Sequence, residues 1–130
     1  MQLCDTNVIS ELVRPRPNFG VAEWSRGLSR VAVSTISVEE LSYWFSHRPN
    51  PRVRDWIESF LDSQCDLLPV TDEIARRGGL LRGSLAARGL VRSQPDMLIA
   101  ATAQVHQLTV VTRNVRDFED CAVALLNPFS

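Results

Sequence analysis

Short runs of strand-forming residues alternate with longer stretches of helical periodicity along this chain. Val31–Thr35 (VAVST) and Leu108–Thr112 (LTVVT) are β-branched runs of strand length, and Met1–Asn7 (MQLCDTN) opens as a short apolar run that closes on a carboxylate. Between them, Thr6 to Val13 reads as a helix entered at an Asp-Thr-Asn cap and stopped by Pro15 and Pro17, and a second helix runs from Phe19 to about Leu28. Ser37 to Phe45 repeats Leu41, Trp44 and Phe45 at helical spacing. After the turn Arg48-Pro49-Asn50-Pro51, another helix carries Val53, Trp56, Ile57, Phe60 and Leu61 at spacings of three and four, a stripe for packing. Strands that alternate with helices are joined by right-handed crossovers, so the expected architecture is a parallel α/β sandwich.

The second half continues the alternation. Leu67–Val70 reads as an edge strand, because Pro69 lacks the ladder donor. Thr71-Asp72-Glu73 opens a helix whose glycines Gly78, Gly79 and Gly83 predict that it is weak or interrupted. Ser93-Gln94-Pro95-Asp96 marks the start of the next helix, continued by Met97 to His106, whose alanines allow close approach to a sheet. Arg113–Phe118 is the loop after the Leu108–Thr112 strand, and Ala122–Leu126 is a last strand ending at Asn127-Pro128. No repeat or linker divides the chain, so residues 1–130 are expected to form one domain.

Composition removes several classes of function. All fourteen positively charged residues are Arg, so chemistry that needs a Lys nucleophile, Schiff base or phosphate-binding Lys is excluded. A net charge of -1 excludes binding of nucleic acid by total charge, though not a local basic face. Cys4, Cys65 and Cys121 are widely spaced and form no CxxC pair, which argues against a zinc site or a disulfide framework. His47 and His106 stand apart from any recognisable nucleophile signature. No apolar run approaches a membrane span and no leader pattern opens the chain, so the cytoplasm is the expected location.

Four acidic positions share one description: Asp5, Glu40 with its neighbour Glu39, Asp96 and Asp117 each fall at an expected strand end or in the segment that follows. In a parallel sheet those strand ends lie along one edge, where ligands of α/β proteins bind. Carboxylates gathered there repel one another and call for a cation, and oxygen-only donors select a hard one, Mg2+ or Mn2+. Each position also has a local explanation. Asp5 suits a helix cap, Ser37 and Glu40 have capping-box spacing, Asp96 complements a helix dipole, and Asp117 lies in a polar loop with Glu119 and Asp120.

Four segments carry a family resemblance: Asp5–Glu11 (DTNVISE), Ser34–Leu41 (STISVEEL), Pro95–Ala103 (PDMLIAATA) and Thr112–Phe118 (TRNVRDF). In that order they resemble the blocks of PIN-domain ribonuclease toxins of the VapC family, FitB-like branch, and the Asn127-Pro128-Phe129 ending is similar too. The resemblance implies a PIN-like three-layer α/β/α sandwich with a central, mainly parallel sheet. It implies an endoribonuclease dependent on Mg2+, or Mn2+, that acts as the toxin of a type II toxin-antitoxin module. Such a protein forms a homodimer, is neutralised by a small antitoxin, and with it builds an assembly that binds operator DNA. By motif position Asp5, Glu40, Asp96 and Asp117 are the catalytic acids, with Asp5 and Asp96 as metal ligands. Glu39 competes with Glu40, and Asn114 with Asp117. Glu40 is preferred because Leu41 follows it. Thr6, Asn7 and Thr112, with Asn114, supply polar side chains around the carboxylates.

Arg76, Arg77, Arg82, Arg88 and Arg92 lie in a stretch from Ile74 to Pro95 that has no acid. They either contact RNA phosphates or form a solvated helix face or antitoxin contact. Trp44, Phe45, Trp56 and Phe60 are read as core or dimer interface. A receiver domain or haloacid-dehalogenase-like phosphatase, which also places Asp after its first strand, is excluded by the missing Lys and by Asn7 where the phosphatase needs a second Asp. A dinucleotide-binding domain lacks its GxGxxG. The remaining rival is a non-catalytic PIN-like module that binds RNA or protein.

Overall fold

The computed structural model describes residues 1–130. Its elements are β1 (Gln2–Cys4), α1 (Thr6–Leu12), α2 (Phe19–Arg26), β2 (Val31–Ser34), α3 (Thr35–His47), α4 (Pro51–Gln64), β3 (Cys65–Leu68), α5 (Asp72–Ala87), α6 (Gln94–His106), β4 (Thr109–Val111) and β5 (Leu125–Leu126), with a 3-10 turn at Val115–Phe118. The five strands lie in the order β3-β2-β1-β4-β5. Every pairing is parallel, so the sheet has no antiparallel strand.

Alternation along the strands divides the interior into two cores. Cys4, Val31, Val33 and Val111 face the layer of α1 to α4 and pack with Val8, Ile9, Leu41, Ile57 and Phe60. Leu3, Ala32 and Val110 face the opposite layer and pack with Leu85, Met97, Ala100 and Ala103 of α5 and α6. Side chains two apart share a face, and a parallel sheet covered on both sides must be apolar at both parities. The result is the expected three-layer sandwich. Each fully buried Leu or Ile stabilises it by roughly 1.5–3 kcal/mol relative to an exposed one.

Polar residues set the helix starts. Asp5, Asn18, Ser34, Asn50, Thr71 and Ser93 each occupy an N-cap and accept backbone N–H bonds through their side chains. α3 therefore begins after Ser34, and Ser37 lies inside it. The capping-box explanation of Glu40 is thereby removed.

Three expectations need correction. The edge strand is Cys65–Leu68, with Pro69 just outside it. Arg30 fixes this register by donating to the Asp66 carboxylate and to the carbonyls of Ser63 and Cys65, a long-range clamp. α5 is continuous through its glycines. A Cβ on Gly78 would lie 2.9 Å from Leu98 Cδ2 and 3.3 Å from the Met97 carbonyl, so that glycine lets α6 approach, while Gly79 is open. The last strand is only Leu125–Leu126, because Asp120 and Ala122 adopt positive φ and break the run before it.

Candidate metal centre

The chain leaves β1 for β2 and β3 on one side and returns to β4 on the other. The crevice between the carboxyl ends of β1 and β4 is therefore the topological switch point of the sheet. Asp5 follows β1 there, and its backbone N–H reaches the Val111 carbonyl at the end of β4 at 2.9 Å. Thr112 follows β4 and is fully buried.

Asp5 is 6% exposed and both of its oxygens are engaged. Oδ1 accepts from the Thr6 N–H at 2.8 Å, closing the α1 cap. Oδ2 accepts from the Thr112 hydroxyl at 2.8 Å and from Asn7 Nδ2 at 3.1 Å. The Thr112 hydroxyl in turn accepts the Asn114 N–H at 3.0 Å, which fixes its donor direction toward Asp5. Asn7 Oδ1 accepts the Arg113 N–H at 3.2 Å and ties the loop after β4 to α1. The cap reading of Asp5 and its place at the sheet edge are both correct.

Glu40 enters from the second turn of α3, where its Oε1 accepts the Thr6 hydroxyl at 2.6 Å. Ser37 Oγ, one helical turn earlier, lies 2.8 Å from the same hydroxyl. Glu39 is exposed on a different side of α3. Asp96 sits in the first turn of α6, its N–H donating to the Ser93 hydroxyl at 3.2 Å. Asp117 lies in the first turn of the 3-10 segment, its N–H bonded to the Asn114 carbonyl. The Asn114 side chain is exposed and makes no capping bond.

Electrostatics tie these groups together. Asp5 is pushed up to about 6, first by burial and then by the charges of Asp96 and Glu40, against the opposing bonds from Thr112 and Thr6. Asp96 is also raised, first by burial and then by Asp117 and Glu40, with the Ser93 hydroxyl opposing. Asp5 and Asp96 thus feel one another's neighbourhood through Glu40, and Asp117 acts on Asp96 alone.

No three Asp, Glu, His or Cys side chains close into a ready-made metal cage. The donor set still fits a divalent cation, since Mg2+ is usually held by one or two carboxylates, with waters and phosphate oxygens completing its shell. Asp5 keeps a lone pair on Oδ1, and a cation would relieve the repulsion that raises Asp5 and Asp96. Cys4 offers no metal ligand to this edge: it packs in the first core with its thiol directed at the Asp5 carbonyl, and burial pushes that thiol up.

Ser37 is the residue of this network that sequence reasoning placed wrongly. Its signal was present, because Ser37 and Glu40 are three apart and share a helix face.

The basic stretch is spread over the surface. Arg76 pairs with Asp72, Arg77 reaches Gln104 at 3.5 Å, and Arg92 reaches the Glu119 carbonyl at 3.4 Å. Arg82 and Arg88 are exposed and make no ion pair. Among the aromatic residues, Phe60 is buried, Trp44 and Phe45 pack half-buried on the first core, and Trp56 stacks on Phe60 at 5.2 Å.

A three-layer sandwich with carboxylates at the switch point of a parallel sheet defines the class: an α/β protein with an acidic crevice at the edge of the sheet where such folds carry their ligands. The chain belongs to the PIN domain family, whose model matches residues 3–123. It is 34% identical over 137 aligned positions to Toxin FitB of Neisseria gonorrhoeae, covering 99% of each chain. It is 29% identical to VapC ribonuclease Y4jK of Sinorhizobium fredii, covering 99% of this chain and 98% of that one. Among solved structures it resembles FitAcB from Neisseria gonorrhoeae, with a TM-score of 0.85, 34% identity and 98% of each chain covered. The DNA-bound VapBC of Salmonella typhimurium gives a TM-score of 0.85 at 27% identity, covering 98% of this chain and 99% of that one. PIN ribonucleases are in general metal-dependent.

Proposed function

We propose that this chain is an endoribonuclease dependent on Mg2+ or Mn2+, and the toxin of a toxin-antitoxin pair, acting in the cytoplasm. The observation that carries the reading is the placement of Asp5 at the switch point of the sheet, buried and raised by burial and by the charges of Asp96 and Glu40, with Asp96 raised in turn by burial, Asp117 and Glu40. Its similarity to a protein named a VapC ribonuclease supports RNA as substrate. Similarity to a VapBC chain solved on DNA supports an antitoxin as partner and a complex with it that binds DNA, to which the reading adds a homodimeric toxin. No helix is long and apolar enough to cross a membrane.

Asp5 and Asp96 are the proposed metal ligands. A divalent cation held there would polarise the scissile phosphate and lower the pKa of a bound water. Thr112 and Asn7 hold Asp5 in a single orientation. Thr6 holds Glu40 on the same side, where its second oxygen can orient or accept a proton from the attacking water. Asp117 is the second candidate for that role, with Asn114 holding its segment through the backbone.

The test is purified chain, freed of antitoxin, incubated with RNA with and without Mg2+ or Mn2+ beside Asp5→Asn and Asp96→Asn. Metal-dependent cutting that both substitutions abolish is the expected result. Equal cutting by variants and wild type sinks the proposed site; RNA binding without cutting under any metal returns the chain to the non-catalytic alternative.

A further inference from the structure

Asn7 belongs to two places at once. It donates to Asp5 in the acidic centre, and it also lines a separate cavity of about 420 Å3 with Arg14, Arg52, Arg113, Trp44 and Phe129. These residues come from α1 and the turn after it, α3, the first turn of α4, the loop after β4 and the C-terminal segment. Sequence distance hides their meeting.

The cavity has an excess of positive charge directly beside a centre that is negative. Its one carboxylate, Glu11, is already paired with Arg14 at 3.2 Å. Arg52 and Arg113 are in no ion pair. Arg52 reaches only the Val13 carbonyl, at 3.5 Å. The Arg113 guanidinium lies over the Phe129 ring, 4.8 Å from its centroid. A guanidinium stacked in this way keeps its N–H edges free for a phosphate. Trp44 adds a second, half-buried ring to the same wall.

Free guanidinium edges beside aromatic faces are the chemistry of single-stranded nucleic acid, with phosphates on the arginines and bases on the rings. Asn7 fixes the distance between this wall and the acids, because one end of its amide holds Asp5 and the other holds the Arg113 backbone. We infer that the cavity is a subsite for the RNA nucleotide flanking the scissile phosphate. In it Arg52 and Arg113 bind a phosphate, and the base packs against the exposed rims of Trp44 and Phe129, whose inner sides rest on the first core while Arg113 covers the Phe129 ring. The inference rests on the endoribonuclease reading and adds to it the residues that position the substrate. An acidic segment of a protein partner would also meet the guanidinium groups, but it gives no account of the ring faces or of the continuity with the acids through Asn7.

The test uses the full chain carrying Asp96→Asn as non-cutting parent, with fluorescein-labelled single-stranded oligouridylate and oligoadenylate, read by anisotropy across a salt series. In that background Arg52→Gln with Arg113→Gln weakens binding on the order of tenfold and flattens the log-log salt slope by about 0.7, the share of one phosphate contact on a single strand. Returning both positions to positive charge as Arg52→Lys and Arg113→Lys restores the slope. Phe129→Leu weakens binding about fivefold and leaves the slope unchanged. Arg26→Gln, which breaks an ion pair with Glu23 on α2, serves as control and changes neither. In the cutting enzyme the loss from the double Gln variant falls on KM. An unchanged slope in the double Gln variant overturns the subsite while leaving the nuclease intact. So does a variant that binds RNA normally but no longer binds purified antitoxin, which makes the cavity a protein-docking surface. A parent that binds no RNA, together with a wild type that cuts none, defeats both readings.

Discussion

The acidic edge and the five arginines from Arg76 to Arg92 each bring several charges of one sign into one part of the chain, but they do so in different surroundings. Asp5 is buried and Asp96 half-buried, and each is raised by burial and by neighbouring acids. Arg76, Arg77, Arg82 and Arg88 are exposed. Water screens like charges on a helix surface at little cost, whereas partial burial turns the same repulsion into a demand for a cation. Charge density alone therefore does not mark a site; at the sheet edge the mark is that Asp5 and Asp96 hold their charge partly out of water.

The largest expected effect is at the edge. Asp5→Asn or Asp96→Asn lowers kcat/KM for RNA by at least about 100-fold, measured with saturating metal. Residual activity near wild type would erase the contrast between the two regions.

Next is Thr112→Val, which removes the donor to Asp5 Oδ2 and strands the Asn114 N–H. Metal affinity falls about 10- to 100-fold by titration calorimetry, and the chain loses about 1–2 kcal/mol in denaturant.

The third sharpens the comparison through pH. Asp5 titrates near 6 in the folded, metal-free chain, above the ordinary value of 3.8. The folded state therefore holds this proton more tightly than the unfolded one, so the cost of the charged carboxylate is full above about pH 6 and is relieved as pH falls toward 4. Relative to Asp5→Asn, metal-free wild type gains on the order of 2 kcal/mol across that window in urea titrations, and metal affinity falls over the same range. A gain on raising the pH would contradict the burial argument.

The smallest effects belong to α5. Arg82→Gln or Arg88→Gln changes RNA cutting by less than about threefold and stability by less than about 0.5 kcal/mol. A tenfold loss of cutting would show that these arginines hold RNA.

Much of this was legible because burial on both sheet faces leaves a plain signature. VAVST and LTVVT are apolar at both parities, and the acids follow the strands in order. The edges were less legible. Cys65 and Asp66 look like loop residues until Arg30, far away in sequence, clamps them into register. Gly78 looks like a helix breaker until α6 packs across it. The preference for Glu40 over Glu39 rested on Leu41 alone, and the place of Ser37 inside α3 turned on whether Ser34 or Ser37 capped the helix. The arginine–aromatic cavity could not be read at all, since five separate segments supply its lining.

The strand order also governs when the molecule becomes active during its own synthesis. β1 is made first, yet it lies between β2 and β4 at the middle of the sheet. Until β4 pairs with it, Asp5 has neither Thr112 as donor nor a finished crevice around it, and Asp117 comes later still. A chain stalled on the ribosome before that point carries the first acids but no assembled centre. The acidic crevice is thus a late product of folding, complete only when the two halves of the chain have paired across β1 and β4.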